Sequence, residues 1–120
     1  MANAAVGEVN LTIGNKEFTL RPSFYGLAEI ESRADCGILQ IAHDISTGKI
    51  KLKYIVAIVY GGIIGATTKG IKPEIGFEEL GELLVKNNYI TLVPQVVQWF
   101  GKAIVGDPEA KEDTSEKKTL

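Results

Sequence analysis

The stretch that most constrains this 120-residue chain is residues 7–33, GEVNLTIGNKEFTLRPSFYGLAEIESR. Val9, Leu11 and Ile13 alternate with Glu8, Asn10 and Thr12, the period-two pattern of a half-buried strand. Phe18 and Leu20 repeat it after the two-residue loop Gly14-Asn15, a pair that supplies positive φ at low steric cost. The loop length sets the register. Ile13 should face Lys16, Leu11 face Phe18 and Val9 face Leu20. On the other face Thr12 should meet Glu17, Asn10 meet Thr19, and Glu8 meet Arg21. A slip of one residue would spoil both faces, so the pairing is well specified. Pro22 cannot donate to the ladder and ends it, and Ser23 then stands as an N-cap.

A lone hairpin is marginal in water, so its apolar face needs a cover. The following sequence offers helices. The first is expected over 24–34, with Phe24, Leu27 and Ala28 as its inward stripe, Ile30 on the flank, and Gly37 as a left-handed stop. A second spans 38–45, with Ile38, Ile41, Ala42 and Ile45 at helical spacing. The third, 52–64, is apolar nearly all round and is the central core helix, with a buried strand as the competing reading. Its Gly61-Gly62 pair weakens a helix but permits close approach by a neighbour. A Thr/Lys/Gly/Pro loop over 66–76 leads to a helix over 77–86, with Phe77, Leu80, Leu83 and Leu84 facing in and acids outward. A last helix over 90–105 has Pro94 in or near its first turn. The fold class is therefore α+β: an N-terminal two-stranded antiparallel β-hairpin packed on four to five short α-helices. Residues 1–6 should be flexible, 7–106 one domain, and 107–120 a disordered charged tail. Both edges of a two-stranded sheet are open to strand addition by a partner or a second copy.

Charge and cysteine usage narrow the function classes. The chain carries 13 basic and 15 acidic residues. Five of the acids and three of the lysines fall in 107–120, which leaves a formally neutral body. Nucleic-acid binding usually needs a basic face, and Lys49, Lys51 and Lys53 read instead as a solvated lead-in to a helix. A single cysteine, Cys36, allows no internal disulfide and fits a reducing compartment. The N-terminus lacks the basic and apolar regions of a signal peptide. The longest apolar run, 54–66, is too short to span a membrane.

The chemistry-bearing residues are sparse. His43 sits near the end of a short helix, and no second His or Cys lies at metal-ligand spacing. Cys36 has no base placed by simple geometry, since a break at Gly37 separates it from His43. Gly61-Gly62-x-x-Gly65 lacks the Gly-Lys-Ser/Thr ending of a phosphate loop and reads as close packing. Glu78, Glu79 and Glu82 form a solvated helix face. We therefore expect no enzyme: no catalytic residue, no cofactor and no metal. The class that remains is an interaction or structural protein. Tyr54, Tyr60 and Trp99 are the residues we take as candidate exposed partner-binding anchors, against the weightier alternative that they are core or its rim.

Residues 7–66 resemble the small tail assembly chaperone family of gene transfer agents and related α-proteobacterial prophages. The likeness rests on Gly7-Glu8-Val9, the hairpin, Leu20-Arg21-Pro22-Ser23-Phe24, Leu27-Ala28-Glu29-Ile30-Glu31, and a Gly48 break with a basic lead-in to an apolar helix. Cys36 before Gly37 departs from the family pattern, and the likeness weakens after Thr67. The resemblance implies a protein of the bacterial host cytosol that binds the tape-measure protein and keeps it soluble during tail morphogenesis. The tail tube protein and a second copy of the chain are further candidate partners. The other readings are a structural tail component retained in the particle and a small nucleic-acid-binding regulator.

Overall fold

The structure, a computed structural model, describes residues 6–68 and 70–106. The expected charged tail, and all of the expected flexible N-terminus except Val6, lie outside the described residues. Strands β1 (Val9–Ile13) and β2 (Lys16–Leu20) pair antiparallel in the expected register. Gly14 holds the positive-φ position of the loop at +66° and Asn15 does not, the pattern of a type II′ turn. Leu11, Ile13, Phe18 and Leu20 are buried and Val9 is half-buried against them. On the outer face Thr19 Oγ1 lies 3.0 Å from Asn10 Oδ1, and Arg21 stands 3.7 Å from Glu8.

Helix α1 (Phe24–Ala34) starts where Ser23 Oγ accepts the Gly26 N–H at 2.8 Å. Its inward face corrects the expected stripe. Gly26, Ile30 and Ala34 are buried, whereas Phe24 and Ala28 are exposed. The reason is backbone contact: α1 approaches the third helix so closely that a Cβ on Gly26 would collide with the Gly61 carbonyl oxygen. Gly26 therefore decides which side of α1 turns in, and Phe24 is rotated out. The stop is also corrected. Asp35, at φ +63°, takes the left-handed position, while Gly37 has φ −75° and caps the next helix. Glu31 favours this arrangement, because its carboxylate accepts the Ile38 N–H at 2.8 Å across the break.

Helices α2 (Ile38–Ser46), α3 (Leu52–Ala66) and α4 (Phe77–Lys86) follow. In α3 every residue from Tyr54 to Ile63 is buried, so the helix reading holds over the strand reading. α1, β2, α4 and α5 (Val93–Val105) all pack on α3. The last helix begins later than 90. Residues Tyr89–Leu92 form a 3-10 turn, and α5 opens at Val93 with Pro94 in its first turn, where its missing N–H costs nothing.

The sheet edges are less open than expected. On the β1 side Gln95 Nε2 donates to the Asn10 carbonyl at 3.1 Å, and Trp99 Nε1 donates to the Gly7 carbonyl at 3.0 Å. On the β2 side the Arg21 N–H is taken by the Gly62 carbonyl at 2.9 Å. Helices α5 and α3 thus each close one end of one edge, which is how short edge strands are kept from pairing with other chains.

Candidate partner-binding surface

Tyr54, Tyr60 and Trp99 are not exposed anchors. They are 3%, 8% and 4% exposed, and each is bound internally. The expectation failed because an aromatic's polar tip can be satisfied inside a small fold, which makes burial of the ring favourable.

Tyr54 opens the first turn of α3 and reaches back to α2. Its hydroxyl donates to the Asp44 carboxylate, which also accepts from Gln40 Nε2 at 2.9 Å. The Cys36 thiol lies 3.9 Å from the same hydroxyl. The Tyr54 hydroxyl and then the Gln40 amide hold the Asp44 carboxyl below its ordinary value, with the charges of Lys49 and Lys51 adding to them. The same bond to Asp44, followed by burial, pushes the Tyr54 phenol up. This cluster ties α2 to α3. Sequence reading missed it because Asp44, ten residues before Tyr54, reads as a neighbour of His43. His43 is exposed, and Cys36 faces Tyr54, so the two do not form a reactive pair. Among the described residues no group of three His, Cys, Asp or Glu is placed to hold a metal ion.

Tyr60 meets Phe77 edge-on at 5.5 Å. The Arg33 guanidinium lies 5.1 Å from the Tyr60 ring centroid and 4.7 Å from that of Phe77, while its Nε donates to Glu29 at 2.8 Å. One arginine therefore joins α1, α3 and α4.

The exposed apolar surface lies elsewhere. Phe24 is 78% exposed and Tyr25 62% exposed, with rings packed edge-on at 5.3 Å. Beside them runs an apolar groove of about 550 Å³, lined by Ser23, Tyr25, Ile64, Thr67, Ile71 and Pro73 among others. Ile71, on its wall, is 63% exposed. The groove exists because α1 and α3 meet backbone to backbone. Gly65 packs on the Arg21 carbonyl, which brings the end of α3 against the start of α1. Large apolar side chains grouped on a surface mark a binding site more often than scattered ones do. Sequence spacing gave no signal for this surface, because the inward face of α1 is set by the contact of Gly26 with Gly61.

Residues 6–101 match the model of the family described as "Phage tail tube protein, GTA-gp10". No curated protein and no solved structure matches the chain. Among the described residues no helix is long and apolar enough to cross a membrane.

Proposed function

The chain belongs to the phage tail tube protein, GTA-gp10, family, and from that premise we propose that it is a tail assembly chaperone, without catalytic activity, that binds the tape-measure protein in the host cytosol and keeps it soluble while the tail is built. The supporting observation is the exposed Phe24–Tyr25 pair and Ile71 beside the apolar groove. Such a surface suits a long helical partner with an apolar stripe, because covering that stripe removes from water what would otherwise drive aggregation. Reversible release favours many copies of modest affinity over one tight clamp.

A second reading, a structural tail component retained in the particle, is favoured by the description of the family as a tail tube protein. Two measurements separate them. Co-expression with a tape-measure fragment should keep that fragment soluble and co-purify it with the chain; absence of any co-purification would sink the chaperone reading. Mass spectrometry of purified particles should lack the chain if it is a chaperone and contain it in many copies if it is structural.

A further inference from the structure

The charges on α3 and α4 are segregated by end. Lys49, Lys51 and Lys53 are exposed at the start of α3, and Ile50 and Leu52 between them are 40% and 37% exposed. Helix α4 runs back along α3. The Phe77 ring meets that of Tyr60, and one turn later Gly81 is set against Val56, where an added Cβ would lie 3.7 Å from a Val56 methyl. Four residues forward on α4 are thus four residues back on α3. The last turn of α4 therefore brings the exposed Val85 and Lys86 to the start of α3. The hairpin tip joins this end, because a Cβ on Gly14 would collide with the Asn87 side chain, and Lys16 is exposed two residues on. The acids at this end are Glu17, Asp35 and Asp44. Asp44 is buried and engaged by Tyr54 and Gln40, so five lysines meet two acids in water.

The other end of α4 has the opposite sign. Glu74, Glu78, Glu79 and Glu82 are all exposed. The cations described beside them are Lys72 and Arg33, and Arg33 is engaged by Glu29. Helix polarity favours acids at the start of α4 and a lysine at its end, but Glu74 and four of the five lysines lie outside α4. Glu82 stands one turn before Lys86. Glu78 stands two turns before it, about 12 Å along the axis, and Glu74 is farther still. The two ends therefore cannot neutralise each other within one chain.

We propose that the lysine end of one copy of this chain docks on the Glu74–Glu78 face of a second copy. Lys49 and Lys53 meet the two carboxylates, while Ile50, Leu52 and Val85 cover the half-buried Phe77 that lies between them. The occupant is a second copy because the surface of complementary sign is carried by this same chain. The contact is heterologous, so each copy keeps one free surface of each sign and further copies add in a row. Charge sets register and partner choice, and the apolar side chains supply affinity. The inference goes beyond the chaperone reading and does not rest on it.

The test follows the mass of the full chain by analytical ultracentrifugation across the micromolar range. The unmodified chain should self-associate at low ionic strength, and its association constant should fall about tenfold or more as salt is raised past a few tenths molar. K49E/K53E and E74K/E78K, all at exposed positions, should each weaken association about tenfold or more with an unchanged circular dichroism spectrum. A 1:1 mixture of the two variants should regain it, since each supplies the intact surface that the other lacks. His43→Ala, on the exposed side of α2, should change nothing. A chain that stays monomeric at every concentration, association indifferent to salt, association indifferent to both charge swaps, or a mixture no more associated than its parts would each overturn the proposal. The salt series needs no substitution, so a variant that fails to fold leaves the test standing. Retention of a tape-measure fragment by a chain that stays monomeric would sink this inference and leave the chaperone reading in place.

Discussion

Gly26 of α1 and Gly61 of α3 each occupy the space that the other's Cβ would need. A Cβ on either residue would meet the carbonyl oxygen of the other, and Ile30 also packs on Gly61. The contact holds the two helices at backbone distance, turns Gly26, Ile30 and Ala34 inward, and leaves Phe24 and Tyr25 outside. Gly26→Ala and Gly61→Ala should each destabilise the fold by about 1–3 kcal/mol in urea denaturation, despite alanine's better helix propensity. The double variant should cost less than the sum, because the first methyl already forces the helices apart. Gly101→Ala, where nothing lies within 4 Å of the added Cβ, should instead stabilise by about 0.5–1 kcal/mol.

Arg33 serves as a three-way tie. Its guanidinium stacks over Tyr60 and Phe77 and bonds Glu29 while its stem covers apolar surface. Its side chain is 39% exposed, which screens the ion pair and leaves stacking as the larger contribution. Arg33→Ala should lower stability by about 1 kcal/mol, and Arg33→Lys should restore only part of the loss, because an ammonium does not stack as a planar guanidinium does.

The Asp44–Tyr54 bond makes stability depend on pH at both extremes. The Asp44 carboxyl lies below its ordinary 3.8 in the folded chain, so its contribution is present above that value and lost as pH falls through the folded one. The Tyr54 phenol is raised above its ordinary 10.0, so its contribution is full below that pH and lost as pH rises through the folded value. The melting temperature of Tyr54→Phe should therefore trail the parent across neutral pH, and the gap should narrow below about pH 3.8 and in strong base. A gap that stays constant down to acid pH would show that lost packing, not the hydrogen bond, sets it.

Phe24 separates stability from binding. At 78% exposed, its replacement by serine should move the denaturation midpoint by no more than about 0.5 kcal/mol. The same substitution should remove most of the tape-measure fragment retained in a co-purification. A large loss of stability would mean that Phe24 is covered in the folded chain in solution.

The sequence by itself determined the hairpin, its register, and the extent of most of the helices. These are local properties. Gly14-Asn15 and strict alternation admit one pairing; Pro22-Ser23 starts a helix; and an unbroken apolar run such as 54–60 has nowhere to go but the core. The tertiary structure alone decided which way the ambiguous residues face. Helical periodicity leaves Phe24 and Gly26 equal claims to the inside of α1, and only Gly61, 35 positions after Gly26, settles it by admitting backbone contact. Where the polar tips of Tyr54 and Trp99 go was likewise settled only by the fold, in which Asp44 and the Gly7 carbonyl give them partners. The groove likewise depends on where α3 ends against Arg21. Such facts are set by pairs of residues far apart in the chain, and short-range spacing carries no record of them.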